Sequence, residues 1–395
     1  MTATLRIGFI PLIDATALIV AVDQGFTAAE GLSIELVREV SWSNVRDKLN
    51  LGLFAAAHLL SPVAIASSLG IGHVRVPIIA PFNLGLNGNA ITVSPKLYAE
   101  LSGSADGDLT DPNVSSRALA RVVSERKARG AEPLTFGMTF PFSHHNYQLR
   151  FWMSAGGVDP DDDVRLVVLP PPYMVESLAS GHVDCFCVGA PWNSLAVDLG
   201  IGHILHFGCE IQSRVTEKVF ALREQWASEH PGTVAALVRA LAAAADFVED
   251  PQNLTAVSEC VARRVGVESG LVERALTGHL KVAPDGAVRT DRRYLVVGRD
   301  GAARPDPVQA AWIYAQIVRW RQAPMSEEYL ATAQAVFRPD LYDAAVGKQA
   351  PINPDGSDDG IGAFAGPPFD AANIAGHLTA WRVKGSGRPR LLLVR

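Results

Sequence analysis

The sequence is poor in cysteine, and its cysteines do not form a recognisable metal or disulfide framework. Among the 395 residues, Cys185 and Cys187 are separated by a single residue, and Cys209 and Cys260 lie apart from them. This spacing matches neither a CxxC redox pair nor a zinc knuckle. We therefore expect buried free thiols, as is typical of a protein from a reducing compartment, and neither a bound metal nor another cofactor.

A strong charge of either sign and a long apolar run are also missing. The net charge is −6 and charged residues make up 19% of the chain, so the composition indicates neither a nucleic-acid partner nor an acidic membrane surface. The most apolar stretch, residues 234–248, is shorter than a membrane span and contains Arg239 and Asp246. With 48% hydrophobic residues, a chain of this length is expected to fold as two globular lobes or domains.

The common catalytic and phosphate-binding motifs GxxxxGK[ST], GxSxG, HExxH and GxGxxG do not occur. The adjacent histidines His144 and His145 open a predicted helix, where their side chains point about 100° apart and so do not naturally chelate one metal. They are expected either to cap the helix and hydrogen-bond at the surface, or to direct one imidazole into a ligand cleft. His144 or Cys187 would be the candidate base or nucleophile, but no complete catalytic constellation accompanies them, and we do not expect an enzyme.

What the sequence does contain is an alternation of short apolar runs with segments of helical period. Strands are predicted over residues 4–12, 33–37, 55–60, 76–80, 134–139, 164–169 and 183–188. Helices are predicted over residues 15–24, 116–129, 144–156, 173–180, 233–250 and 271–280. A further helix opens at Asn44 with Ser43 as its N-cap. This alternation is typical of an α/β fold with largely parallel sheets covered by helices.

Four positions place a hydrogen-bond donor beside a predicted strand end, where open α/β sheets bind ligands. They are the indole of Trp42, the side-chain amide of Asn87, the peptide N–H at Gly189 and the ammonium of Lys218. Each has an ordinary alternative, since Trp42 also suits a core and Lys218 a surface strand. Taken together, they form the donor set that a small oxyanion requires.

Several stretches resemble the nitrate/bicarbonate-binding proteins of bacterial ABC importers: residues 7–12, 41–49, 86–93, 139–141, 150–160 and 189–192. Their order and spacing are shared over most of residues 5–320. The chain is most similar to the cytoplasmic nitrate/nitrite sensors derived from that family, which pair with an ANTAR-type transcription antiterminator. This narrower resemblance rests on residues 319–322 and 337–342, and on an N-terminus that starts with a strand and not with a secretory leader.

The resemblance implies a two-lobed periplasmic-binding-protein-like fold of type II, in which the lobes close on a ligand by hinge motion. We expect residues 1–92 and 205–345 to form lobe I and residues 93–204 to form lobe II. Residues 346–395, a Gly- and Pro-rich loop followed by a basic tail, are expected to pack on lobe I or to fray.

The resemblance also implies residues of the binding site. By matching positions, Trp42 through its indole, Gly189 through its backbone N–H and Lys218 through its charge would hold the anion. Asn87 stands where the nitrate binder has a longer amide, so its reach is shorter.

One position departs from the family pattern. The nitrate binder has a histidine donor directly before the Thr-Phe-Pro sequence that this chain carries at residues 139–141, whereas this chain has Met138, which cannot donate. Either His144 or His145 replaces that donor from the following helix, or the anion preference differs. The choice among nitrate, nitrite and bicarbonate is therefore open.

Together these expectations lead to the hypothesis that the protein is a cytoplasmic nitrate/nitrite sensor. It would control a transcription antiterminator of nitrate assimilation through ligand-dependent complex formation. The alternative is the substrate-binding component of a nitrate/bicarbonate-type ABC importer. Cell fractionation separates the two, because periplasmic recovery of the protein would contradict the sensor hypothesis.

Overall fold

The structure, a computed structural model, describes residues 4–347 and 360–381. The strands are β1 Leu5–Phe9, β2 Ile34–Arg38, β3 Ala56–Leu60, β4 Ile78–Asn87, β5 Asn89–Val93, β6 Thr135–Met138, β7 Arg165–Val168, β8 Cys185–Gly189, β9 His203–Phe207, β10 Thr216–Arg223, β11 His279–Lys281, β12 Val288–Thr290 and β13 Leu295–Val296. Short 3-10 turns occupy residues 13–15, 171–173, 251–253 and 299–301.

The helices are α1 Thr16–Asp23, α2 Phe26–Ala29, α3 Trp42–Asn50, α4 Ser61–Leu69, α5 Pro95–Ser104, α6 Pro112–Ala128, α7 His144–Gly156, α8 Met174–Ala179, α9 Trp192–Asp198, α10 Gly208–Ile211, α11 Glu224–Glu229, α12 Pro231–Glu249, α13 Leu254–Val265, α14 Ser269–Thr277, α15 Pro307–Arg319, α16 Glu327–Val336, α17 Pro339–Val346 and α18 Ile374–Ala380. Most of them cover the faces of two larger sheets.

The two larger sheets share one strand arrangement. A six-stranded sheet in the order β13-β4-β10-β3-β1-β2 forms lobe I, and a five-stranded sheet in the order β7-β6-β8-β5-β9 forms lobe II. In lobe I, β1 runs parallel to β2 and β3, while β10 is antiparallel to β3 and β4. In lobe II, β6 runs parallel to β7 and β8, while β5 is antiparallel to β8 and β9. In each lobe, therefore, an antiparallel strand is inserted beside a parallel core.

The chain crosses between the two sheets twice. The first crossing lies at Gly88, between β4 and β5, and the second lies between Phe207 and Thr216. The boundaries predicted from sequence, at 92/93 and 204/205, fall inside β5 and β9. The apolar pattern of residues 86–93 resembles one continuous strand, but Asn87 and Gly88 adopt φ of 59° and 91°, and this left-handed turn divides it.

Local sequence explains how two helices begin near the cleft between the sheets. The hydroxyl of Ser143 accepts a hydrogen bond from Asn146 N, so α7 begins at His144 and ends before Gly157, as predicted. Helix α3 begins two residues earlier than expected, because Ser41, and not Ser43, adopts the extended conformation and caps Asn44 N. Trp42 therefore lies in the first turn of α3.

Helix α12 belongs to the core of lobe I. By length and composition alone it could span a membrane, and it is the helix of the described residues that passes this test. More than half of it is buried inside the protein, and it packs against α1, α2 and α17 through residues such as Leu237, Leu241 and Val248. Its apolar character is explained by this packing.

Residues 360–381, called the C-terminal segment below, contact both lobes. Ala363 pairs with Gln212 at the second crossing, and α18 packs on α15 of lobe I. Trp381 then stacks on Phe151 of α7, with ring centroids 4.5 Å apart. The predicted packing on lobe I thus describes part of this segment, while the contact with lobe II was not foreseen. The rest of the predicted tail, residues 348–359 and 382–395, lies outside the described residues.

Candidate functional site

Three buried ions meet where the carboxyl ends of the lobe I strands face lobe II. Lys218 Nζ lies 2.8 Å from Asp14 Oδ2 and 2.9 Å from Glu217 Oε1, and all three side chains are at most 2% exposed. Asp14 comes from the 3-10 turn after β1, and the other two residues are neighbours on β10. The pairing of β10 with β4 is irregular around Lys218, as at a β-bulge, and such an irregularity allows successive side chains to share one side.

Two aromatic side chains of lobe I complete this cluster. His58 Nε2 lies 2.9 Å from Asp14 Oδ1, and the indole of Trp42 meets the His58 ring edge-on with centroids 5.3 Å apart. Lys218 Nζ lies 5.3 Å from the centroid of the Trp42 ring. The indole N–H of Trp42 is buried and has no hydrogen-bond partner within residues 4–347 and 360–381. It is a donor available to a ligand.

Lobe II faces the cluster with uncharged groups. Asn89 Nδ2 donates to Glu217 Oε2 at 2.7 Å, and His145 Nε2 lies 3.7 Å from Glu217 Oε1. The backbone also links the two lobes, since Ile13 N, next to Asp14 in lobe I, donates to Ala190 O of lobe II at 2.9 Å. The two lobes therefore meet around the buried ions.

Gly189 brings a peptide group to the same place. Ala190 N donates to Gly88 O, so the neighbouring pair, Gly189 with Asn89, is of the type that exchanges no hydrogen bond. The Gly189 N–H therefore points away from β5, past the end of β6. A Cβ at Gly189 would lie 3.2 Å from Asp14 Oδ2, which shows how closely the two lobes approach here.

The three ions are mutually stabilised in their charged forms. Burial alone would raise the pKa of Asp14 and Glu217, but Lys218 together with the neighbouring histidines outweighs burial and holds both pKa values below their ordinary range. Burial would lower the pKa of Lys218, but the two carboxylates hold it above its ordinary value. Since a buried ion is tolerated only with compensating partners, each of the three depends on the others.

The three buried histidines at this cluster are uncharged near neutral pH. Burial lowers the pKa of His58 and His144, although Asp14 and Glu217 respectively act in the opposite direction. Burial lowers the pKa of His145 to about 3, against the opposing effect of Glu217. With two carboxylates and one ammonium, the cluster carries a net charge of −1.

Five of the six residues predicted for the site meet around this cluster. These are Trp42, His144, His145, Gly189 and Lys218. The surface interpretation of the two histidines is wrong, because both are fully buried. His144 Nδ1 lies 3.2 Å from Gln212 Oε1 at the second crossing, while Thr139 Oγ1 lies 2.9 Å from His145 Nδ1.

The sixth predicted residue, Asn87, does not reach the cluster. Its amide group donates to Ser213 O and Arg293 O, and its oxygen accepts from Val215 N, at 3.2, 2.8 and 3.1 Å. The left-handed conformation of Asn87 directs its side chain to the second crossing. Asn89, two residues further on, contributes the cleft amide instead.

Four residues of the site were missed from sequence: Asp14, His58, Asn89 and Glu217. Three of them are ionisable side chains inside apolar strand patterns or directly after one, as in Ala56–Leu60, where His58 is central. Such residues are almost never buried without partners, and this was the signal that could have identified them. Apart from Lys218, which adjoins Glu217, their partners lie more than 40 residues away in sequence, so these pairings could not be predicted from the sequence.

The cysteines agree with the expectation of free thiols, and all four are buried. Burial raises the pKa of Cys187, which disfavours the nucleophilic thiolate. Within the described residues, no group of three or more His, Cys, Asp or Glu side chains is arranged to hold a metal ion.

Comparison with known proteins places these observations in a family. The chain is 28% identical over 393 residues to the nitrate/nitrite binding protein NrtA of Synechococcus elongatus, covering 96% of this chain and 86% of that one. It is 29% identical over 383 residues to the nitrate import ATP-binding protein NrtC of Synechocystis, covering 96% of this chain and 55% of that one. The chain therefore spans only about half the length of such ATP-binding relatives. The nitrate/nitrite binding protein is named for binding and not for catalysis, in agreement with the expectation that the chain is not an enzyme.

A solved structure supports the same relationship. The periplasmic nitrate-binding protein NrtA from Synechocystis PCC 6803 matches with a TM-score of 0.85 and 25% identity, over 96% of this chain and 98% of that one. This likeness confirms the predicted periplasmic-binding-protein-like α/β fold. A family model described as NMT1-like matches residues 1–262, well over half of the chain, and the protein belongs to the NMT1-like family.

Proposed function

We propose that the protein binds a small oxyanion between its lobes, as the substrate-binding component of an ABC importer does. The observation that carries the proposal is the indole N–H of Trp42, which has no hydrogen-bond partner in the described part of the chain and lies beside the ammonium of Lys218. An ammonium has three donors, and Asp14 and Glu217 occupy two of them, so one remains for a ligand. Gly189 lies beside the cluster on the opposite lobe, and its N–H points away from β5.

Nitrate is the proposed ligand, with nitrite as a close second. The support comes from the names of the relatives described above and from the donor set, which suits a small monovalent oxyanion. We further propose that His145 replaces the donor missing at Met138, since its Nε2 faces the cluster and has no hydrogen-bond partner in the described part of the chain.

The test is calorimetric titration of the purified protein with nitrate, nitrite, bicarbonate and sulfate. We expect nitrate to bind, and Trp42→Phe, which keeps a ring but removes the indole N–H, to weaken binding about 10–100-fold, the loss of one hydrogen bond to a charged group. The matched control is Trp226→Phe, since Trp226 lies on α11 and stacks on His230 away from the cleft. Failure of every anion to bind would refute the proposal.

The cytoplasmic sensor is the second candidate, and one structural observation favours it. Arg319, in a stretch that resembles the sensors, has its guanidinium carbon 5.4 Å from the Phe151 ring centroid and 5.0 Å from that of Trp381. This junction joins lobe I, lobe II and the C-terminal segment, so a change in closure would alter a surface available to a partner such as an ANTAR-type antiterminator.

Two experiments distinguish the candidates. Recovery of the protein in the cytoplasmic fraction, together with an antiterminator complex that dissociates on addition of nitrate, would support the sensor. Periplasmic recovery, or no complex with or without nitrate, would leave the importer component and its transporter partners as the proposed role.

A further inference from the structure

The buried side chains of the site do not supply a net positive charge that would compensate a bound anion. Asp14 and Glu217 contribute two negative charges and Lys218 one positive charge, all at most 2% exposed. A monovalent anion bound beside Lys218 would therefore bring the buried charge from −1 to −2. An uncompensated charge in a buried site is strongly unfavourable, and proteins normally avoid it by a change of protonation.

Among the groups of the cluster that could take up a compensating proton, the three histidines are uncharged and are not equivalent. His58 faces Asp14, which already compensates Lys218, and its neighbour Lys218 opposes a second positive charge. His144 faces the neutral side chain of Gln212 through Nδ1. Its Nε2 also lacks a hydrogen-bond partner in the described residues, but Glu217 acts on it from beyond ion-pair distance. His145 faces a carboxylate from the opposite lobe, since its Nε2 lies 3.7 Å from Glu217 Oε1 and has no hydrogen-bond partner in the described residues.

The surroundings of His145 suit a positive charge once an anion is present. Glu217 and Lys218 face it from β10, Asp14 faces it from the 3-10 turn, and His144 is its neighbour on α7. Thr139 Oγ1 lies 2.9 Å from Nδ1 and can turn its hydroxyl to accept from a protonated ring. Without an anion, the two carboxylates are already partly compensated by Lys218. With an anion, the balance favours the imidazolium.

We propose that the cleft binds its oxyanion together with one proton, which His145 takes up as the anion enters. The proposal rests on the oxyanion-binding function proposed above and adds a second, linked ligand to it. Protonated His145 then donates through Nε2 across the cleft to Glu217 or to the anion. In this way lobe II contributes a positive charge only to the occupied site.

The sign of the linkage follows from the two states. In the free protein His145 has a low pKa, and in the complex its pKa is raised by the anion. Between those two pKa values, each anion brings one proton, and the affinity falls about tenfold for each unit by which the pH rises. Above the pKa of the complex, the affinity reaches a constant, weaker value.

Nitrate is the suitable probe, because it is the anion of a strong acid and does not itself titrate in the working range. Calorimetric titration at pH 5.5 in buffers of different ionisation enthalpy gives the number of protons bound per nitrate. We expect a value near one for the wild-type protein. The affinity measured from pH 5 upward should fall with increasing pH, as described above.

Two variants test whether His145 is the residue that takes up the proton. His145→Gln keeps an amide donor but cannot titrate in this range, so the proton count should fall to near zero and the pH dependence should flatten. His203→Gln, at a histidine that stacks on Tyr98 on the edge strand β9, should leave both unchanged. Nitrate binding without proton uptake in the wild-type protein would overturn the inference while leaving the proposed function intact. Proton uptake retained in His145→Gln would overturn the assignment to His145, and no binding of any anion would refute both proposals.

Discussion

The two lobes bring opposite kinds of side chain to one cleft. Lobe I supplies the three ions of the cluster together with the Trp42–His58 pair, whereas lobe II supplies uncharged groups, namely Asn89, His144, His145 and the peptide of Gly189. The ions of lobe I compensate one another within that lobe, so their pairing does not require the cleft to be closed. The groups of lobe II meet the ions only when the lobes are together.

This division separates stability from recognition. A substitution among the ions should destabilise lobe I itself, because it leaves a buried charge without its partner. A substitution among the lobe II groups should mainly change how the lobes meet and how the ligand is held. This division can be tested by substitutions in each of the two lobes.

The largest expected effect is that of Lys218→Met. The variant leaves Asp14 and Glu217 buried without their ammonium, and we expect it to lower the free energy of unfolding by about 3–5 kcal/mol. The lobe II counterpart is Gln148→Met, a fully buried neutral side chain that hydrogen-bonds Asn89 and Gly208 O, with an expected loss of about 1 kcal/mol. Urea unfolding at pH 7 measures both. Equal losses in the two variants would contradict the division between the lobes.

The next effect concerns the approach of the lobes. In Gly189→Ala the new methyl group would lie 3.2 Å from Asp14 Oδ2 and 3.6 Å from Asn89 Oδ1, so closure is obstructed. We expect nitrate affinity to fall by about tenfold or more, the equivalent of about 1.4 kcal/mol, with a small change in thermal stability. Gly103→Ala in α5 is the control, since a methyl group there meets no atom within 4 Å. Unchanged affinity in Gly189→Ala would show that Gly189 does not limit closure.

The smallest effect, over the range from pH 6.5 to 5.5, is the pH dependence of stability in the ligand-free protein. Burial lowers the pKa of His58 in lobe I and of His145 in lobe II, so the unfolded chain binds protons first as the pH falls below about 6.5. Each such histidine then lowers stability by up to about 1.4 kcal/mol per pH unit, and His145 does so until its folded pKa of about 3 is reached.

The variant His145→Gln measures the contribution of the lobe II histidine to this slope. Urea unfolding between pH 6.5 and 5.5 should show a smaller slope in His145→Gln than in the wild-type protein. Asp14 acts in a different range: its lowered pKa contributes stability above about pH 4, which is lost as the pH falls further. A slope that is unchanged in His145→Gln would indicate that this histidine is not buried in its neutral form.

Local patterns predicted much of the fold. Helix α7 has the predicted bounds because the capping serine and the terminating glycine are both encoded next to it. The strands around His58 and Cys187 were also evident from their apolar runs. The crossing at Gly88 was not, since residues 86–93 look like one strand until the backbone conformation of Asn87 is known.

The site was predictable in its donors but not in its charges. Trp42, Gly189 and Lys218 follow strand ends or lie on a strand that enters the cleft, and the resemblance to a known family selected them. The pairing of Lys218 with Asp14 joins residues about 200 positions apart, and it depends on the insertion of β10 between β3 and β4. No periodicity in the sequence reports such an insertion. The sequence also could not show which of Asn87 and Asn89 contributes its amide to the cleft, because that depends on the left-handed turn at Asn87 and Gly88.

The hydrogen bond from Ile13 N to Ala190 O is the one backbone contact described above that joins the two lobes directly beside the ions. An amide held in this way exchanges its hydrogen with solvent only while the lobes are apart. The hydrogen-exchange rate of the Ile13 amide therefore measures how often the cleft opens. It needs no label, and it would record how long an occupant holds the two halves together.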